Sequence, residues 1–175
     1  MLKKILIGVL ALAAILLLVG FFLPRSVTTV RTAEIAAAPE RIYPLVAAPA
    51  EWKRWSAWSQ RDPDLQIEYA GPPAGAGASW SWKSGSEGNG SMTLTEAEEP
   101  RRVAYELRFE GFDEPSTGEI ALEPAGAGTR VRWTMHADMG NGPVGRWFGV
   151  FLPGMVGKDF DAGLASLKRL AEGAS

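Results

Sequence analysis

Residues 36–58 read AAAPERIYPLVAAPAEWKRWSAW. Two helix starts are written into this stretch. Pro39 follows three alanines and sits in a first helical turn, where its missing N–H costs little. Ile42, Leu45 and Val46 then fall at i, i+3 and i+4, the spacing of one apolar helix face. Pro49 opens a second short helix running through EWKRWSAW. That helix carries Trp52, Trp55 and Trp58, three of the seven tryptophans in the chain. Trp52 and Trp55 share neighbouring parts of a face, and Trp58 falls about 60° further round. Lys53 and Arg54 lie between them and stay wet. Trp55 is the one expected to reach an internal cavity, with Trp52 and Trp58 holding the helix in place.

On either side of these helices the period changes from helical to two. Ser26–Ile35, SVTTVRTAEI, is rich in Val and Thr and reads as a strand. Downstream, strands are expected at Leu65–Tyr69, Ala78–Lys83, Gly90–Glu98, Arg102–Glu110, Gly118–Glu123 and Thr129–Asp138. Trp80 and Trp82 share a face, as do Met92 with Leu94 and Ile120 with Leu122. Val103, Tyr105, Leu107 and Phe109 alternate with Ala104, Glu106 and Arg108. Val131, Trp133, Met135 and Ala137 alternate with Arg130, Arg132, Thr134, His136 and Asp138. Such alternation predicts an antiparallel sheet with one covered face and one wet face. PAGAG occurs twice, at residues 73–77 and 124–128, each time before a strand containing Trp. Both copies are turn composition, and neither has the strand-then-helix setting of a phosphate loop.

The chain closes with a helix. Phe160, Leu164, Leu167 and Ala171 recur at i, i+4, i+7 and i+11, joined by Leu170, a stripe able to cover a sheet face. Before it, Val144–Val156 is strongly apolar but interrupted by Pro153 and Gly154. It is either one helix kinked near Pro153 or a short helix and a loop.

The start of the chain is of another kind. Ile5–Leu23 reads ILIGVLALAAILLLVGFFL, without a charge. At about 1.5 Å per residue a helix this long covers about 28 Å, close to the ~30 Å hydrocarbon core of a bilayer. A secretory leader has a shorter apolar region and a small-x-small cleavage site. Here the run ends in the bulky Phe21-Phe22-Leu23-Pro24, which favours a retained anchor. Lys3 and Lys4 favour a cytoplasmic N-terminus, and hence a globular domain outside the cytoplasm, with Arg25 and Arg31 reducing the bias. The expected organisation is a flank at 1–4, a transmembrane helix at 5–23 and one domain at 26–172.

Taking Lys3, Lys4 and Arg25 from the 18 basic residues leaves 15 against 20 acidic ones, a net charge of −5 for the remainder. Nothing in that balance points to nucleic acid. The chain has no cysteine, so disulfides, zinc–thiolate sites and a cysteine nucleophile are excluded.

The order strand, two short helices, about six strands and a long helix resembles the START-like, or SRPBCC, superfamily. The polyketide cyclase/dehydrase-like branch is the one it is most similar to. The resemblance is carried by Ala38-Pro39-Glu40-Arg41-Ile42-Tyr43 and by Trp52-Lys53-Arg54-Trp55, and spans Ser26 to about Glu172. It implies an α+β helix-grip fold, in which a curved antiparallel sheet of about seven strands wraps a long C-terminal helix over an apolar cavity. Members of the superfamily include lipid carriers and cyclases. A hydrophobic small molecule or lipid is the implied partner, with no cofactor. Trp55, Trp80, Trp82, Tyr105, Leu107, Trp133, Met135, Phe148 and Phe151 are the cavity candidates.

Catalytic candidates are few. His136, the one histidine, has opposite parity to Trp133 and is expected in solvent. Glu106, Arg108, Arg130 and Arg132 read as charge pairing on the wet face, and Asp159 and Asp161 as carboxylates near a helix start. Tyr43, Tyr69 and Tyr105 are the proton donors open to a cyclase or aromatase reading. A third reading has a filled pocket and a protein partner on the wet sheet face, with Arg130 and Arg132 in contact. Trp147, Phe148, Phe151 and Leu152 read as core packing, a cavity gate or an interface-dipping patch.

Overall fold

A computed structural model describes residues 1–62, 64–112 and 114–173. Helix α1 covers Leu2–Gly20, and strand β1 follows at Ser26–Ile35. Helices α2 (Pro39–Ala47), α3 (Pro49–Trp55) and α4 (Ala57–Arg61) come next. Strands β2 (Gln66–Ala70), β3 (Ser79–Lys83), β4 (Gly90–Glu98), β5 (Arg102–Phe109), β6 (Ser116–Ala125) and β7 (Gly128–Asp138) lead to helix α5 (Pro143–Glu172). The seven strands form one antiparallel sheet in the order β1-β7-β6-β5-β4-β3-β2. This is the helix-grip architecture.

Strand parity follows the alternation of the sequence. Val103, Tyr105 and Leu107, Ile120 and Leu122, and Val131, Trp133, Met135 and Ala137 are all buried on the face covered by helices. The outer face carries cross-strand ion pairs such as Arg130–Glu34 at 2.8 Å, and Arg132 lies near Glu119 and Glu123. Gly118 sits opposite Tyr105 on β5 and Met135 on β7. A Cβ there would stand 2.4 Å from both the Thr134 carbonyl oxygen and the Tyr105 ring. Only glycine lets the phenol end of Tyr105 approach this strand so closely.

Three helices, not two, follow β1. Ser56 leaves the helical region (φ −69°, ψ 138°), and its Oγ accepts from Ser59 N to start α4. The continuous EWKRWSAW helix is therefore corrected to two pieces, and Trp58 no longer shares a helix with Trp52 and Trp55. The C-terminal helix is longer than its buried stripe, at 30 residues with Pro153 inside. Asp159 and Asp161 accordingly lie in mid-helix, not at a start. Asp159 pairs with Arg61 of α4, and Asp161 with Arg31 of β1 at 3.1 Å. The far end of α5 is tied to β1 by Lys168 Nζ donating to Glu34 O at 2.7 Å and Ala36 N donating to Glu172 at 2.7 Å.

The apolar N-terminal run is helical to Gly20, and Phe21–Leu23 lie in the turn after it. Helix α1 is long and apolar enough to cross a membrane, and its side chains are exposed, with only Gly20 at its end buried. Its end is fastened. The Arg25 guanidinium grips the Asp138 carboxylate, with Nε at 3.0 Å from both oxygens, and Met139 N donates to Arg25 O at 2.7 Å. Arg25 and the Gly140 N–H hold the Asp138 carboxyl below its ordinary 3.8. A depressed folded-state pKa adds stability above the unfolded value, and that stability is lost as pH falls through the folded one. The stability difference between wild type and Asp138→Asn should therefore shrink as pH is lowered from 7 to below 3.8. Urea titrations at several pH values check this; a constant difference would remove the ion pair from the account.

Candidate functional site

The space between the sheet and α5 is filled. Trp133 and Phe160 stack with centroids 3.8 Å apart and planes 5° apart. Trp52, Trp55 and Trp58 meet the Trp133 ring edge-on at 5.7, 5.3 and 6.0 Å. The polar atoms of this cluster are matched internally. Trp133 Nε1 donates to Tyr105 Oη at 2.9 Å, and Tyr105 Oη donates to Thr134 O at 3.3 Å. Trp55 Nε1 donates to Leu45 O at 3.0 Å, and Trp52 Nε1 to Val46 O at 2.9 Å. Burial pushes the Tyr105 phenol upward, against the opposing effect of the Trp133 N–H, so it stays protonated.

What remains open is a groove under α3 and α4, against β2–β5. Its floor is Trp80, Trp82, Met92, Leu107 and Phe109, and its sides include Trp52, Trp58, Leu65 and Ile67. Its polar groups are Lys53, Ser56, Ser59 and Glu87. The cavity volume is about 50 Å³. Drug-sized ligand pockets run to ~300–1,000 Å³, so this groove admits an aromatic ring or the end of an acyl chain without rearrangement. Arg61 braces one side: it donates to Glu87 at 2.6 Å and to Asp159, tying α4 to the β3–β4 loop and to α5. Both acceptors raise the Arg61 pKa.

The groove lies at a defined end of the sheet. Gln66 faces Lys83, Trp82 faces Gly90 and Gly90 faces Phe109. Ser116 follows close by on β6, and Ser26 faces Asp138 at the same end. Helix α1 enters the domain at this end too.

The candidate residues thus divide. Trp80, Trp82 and Leu107 line the groove. Trp55 is fully buried, its ring 4.6 Å from that of Trp52, and does not line the groove. Tyr105, Trp133 and Met135 are likewise in the filled core, because the tryptophan cluster occupies the space their inward parity points to. Phe148 and Phe151 lie on the surface of α5, 39% and 61% exposed. Trp52, Trp58, Met92, Ile67 and Phe109 line the groove without being among the cavity candidates. The parity of Met92 and Phe109 was visible, whereas the break at Ser56 that turns Trp58 toward the groove was not.

Of the tyrosines, Tyr69 is half exposed, Tyr43 is buried on the inner face of α2, and neither lines the groove. His136 faces outward, with Nδ1 at 2.8 Å from Thr28 Oγ1. Among the described residues no three His, Asp or Glu side chains cluster to hold a metal.

A family model described as polyketide cyclase / dehydrase and lipid transport matches residues 26–172. The chain belongs to this family. Solved structures share the helix-grip fold. The Aha1 dimer from Colwellia psychrerythraea is 18% identical with a TM-score of 0.62, over 83% of this chain and 96% of that one. Protein MLL2253 from Mesorhizobium loti is 14% identical with a TM-score of 0.63, over 85% and 99%. DynU16, from the dynemicin biosynthetic locus, is 14% identical with a TM-score of 0.59, over 83% of this chain and 47% of that one. No curated protein matches in sequence. At these identities the likeness is one of fold.

Proposed function

We propose that the chain is a membrane-anchored binding domain that holds the apolar end of a small molecule or lipid without turning it over. The single observation that carries this is the groove. It is walled by aromatic and aliphatic side chains, it is open, and the one carboxylate on its lining, Glu87, is held by Arg61. The family description, which includes lipid transport, supports the same class of ligand. Helix α1 supports the anchor. Its length and composition suit a span, and Trp147 Nε1 donates to its Leu16 carbonyl at 2.8 Å, a bond that a removed leader would forfeit. On this reading Lys3 and Lys4 lie in the cytoplasm, 5–23 is the anchor, and 26–172 is the domain outside it.

Photolabelling tests the groove. The full chain is placed in phosphatidylcholine vesicles with a diazirine-bearing fatty acid and irradiated, and the labelled peptides are mapped by mass spectrometry. Label is expected on the peptides that carry Trp58, Trp82 and Met92, and an excess of unlabelled fatty acid should remove it. Label confined to α1 and α5, in a domain shown to be folded, would sink the proposal.

A further inference from the structure

Helix α5 changes its amphipathic sense half way along. Its C-terminal half buries Phe160, Leu164, Leu167 and Ala171. Its N-terminal half repeats the same spacing with Val144, Phe148, Phe151 and Met155, and all four are exposed. Val144 and Phe160 are 16 positions apart, so at about 100° per residue the two stripes point about 160° away from each other. Phe112, 61% exposed, extends the outer stripe from the β5–β6 loop, its ring 6.3 Å from that of Phe148. Contiguous apolar surface of this kind marks a place where something else belongs.

Three observations identify the occupant. First, the stripe is continuous with α1. Trp147 Nε1 reaches Leu16 O at 2.8 Å, and Arg146 Nη1 donates to Phe21 O at 2.6 Å and Leu23 O at 3.2 Å. A Cβ on Gly20 would stand 2.6 Å from Pro143 Cβ, so the two helices touch at their backbones. Second, depth is fixed by these contacts. Leu16 lies four positions before the end of α1, about 6 Å along its axis, so the start of α5 is level with the last turn of the apolar helix. Third, the segment 139–158 contains no Asp or Glu, and its charges are Arg146 and Lys158 alone. Aromatic rings, aliphatic side chains and a few cations without carboxylates are the make-up of a helix lying in a membrane interface.

We propose that the N-terminal half of α5, with Phe112, lies in the headgroup–acyl boundary of a lipid bilayer and sets the domain at a fixed attitude to it. This rests on α1 being the membrane-spanning helix. With α1 upright in the bilayer, the exposed stripe of α5 meets the acyl boundary and the groove mouth, at the same end of the sheet, faces the lipid surface.

The chain has no cysteine, so single-cysteine probes report cleanly. Phe148→Cys, Phe151→Cys, Ala127→Cys and Leu10→Cys are made in the full chain, labelled with the NBD fluorophore and reconstituted in phosphatidylcholine vesicles. Ala127 sits in the β6–β7 turn, at the opposite end of the sheet. The positions at 148 and 151 should show blue-shifted emission, quenching by doxyl lipids spin-labelled near the headgroup, and protection from aqueous iodide. Ala127 should show none of these, and Leu10 should respond to deeply placed spin labels. Iodide quenching at 148 and 151 equal to that at 127, with Leu10 still protected, overturns the inference and leaves the anchor standing. Leu10 open to iodide overturns both. Protection at 148 and 151 that disappears on diluting the protein in lipid, without lipid quenching, assigns the stripe to a second copy of the chain instead. All four variants are at exposed positions, and near-ultraviolet circular dichroism confirms the tryptophan core in each.

Discussion

Trp133→Ala is expected to cost about 3–5 kcal/mol of stability, most of what a small domain has. Trp133 is fully buried, stacked on Phe160 and edged by Trp52, Trp55 and Trp58. Truncation leaves a ring-sized void, and two of its four aromatic neighbours, Trp52 and Trp55, are held by hydrogen bonds to the Val46 and Leu45 carbonyls, so small shifts do not fill it. It also strips the Tyr105 hydroxyl of the N–H it accepts. Trp133→Phe keeps the stack and loses the N–H, so it should cost less, about 1–3 kcal/mol. Urea unfolding followed by tryptophan fluorescence and far-ultraviolet circular dichroism separates the two. An alanine variant within about 1 kcal/mol of wild type would mean that the cluster is not the centre of the core.

The second large effect splits two tryptophans that look alike in the sequence. Trp55 is wholly buried and bonded to Leu45 O, whereas Trp58 is partly exposed and forms a side of the groove. Trp55→Ala should cost about 3–5 kcal/mol and leave groove photolabelling per folded molecule unchanged. Trp58→Ala should cost less in stability and remove one wall from the ligand. A loss of about 1.4 kcal/mol in binding would cut affinity tenfold. Chemical denaturation and the fatty-acid labelling assay, run on both variants, give the two axes. Weaker labelling in Trp55→Ala and normal labelling in Trp58→Ala would return the ligand to the space between sheet and α5.

That pair shows what could be seen beforehand. The strands were legible because a sheet with one wet face imposes a period of two: β4 falls where the same-face spacing of Met92 and Leu94 put it, and β1 where Val and Thr content did. The buried half of α5 was legible for the same reason at a period of 3.6. The helix pair was not, because Ser56 is a modest cap signal inside a tryptophan-rich run and its effect is to rotate Trp58 away from Trp55. Nor was the groove. Inward parity says which face a residue takes, not whether four indoles meet beyond it and close the space. Phe148 and Phe151 went to the cavity for a related reason: apolar residues on a helix point to a partner, and only the fold tells whether that partner is protein.

The sheet is unevenly built. β1, β7 and β6 pair along long runs, from Ser26 opposite Asp138 to Ile35 opposite Thr129 and from Thr117 opposite His136 to Ala125 opposite Gly128. β3 pairs with β4 only from Ser79 to Trp82, and β2 is a five-residue edge strand. Local opening follows the sparsest support, so amide hydrogens of β2 and β3 should exchange with solvent well before those of β6 and β7. These two strands carry Ile67, Trp80 and Trp82. The wall that a ligand must push against is thus the sparsely paired edge of the sheet. Its resting volume is then a lower bound on what it admits, and a guest that swells it would be read in slowed exchange along that edge alone.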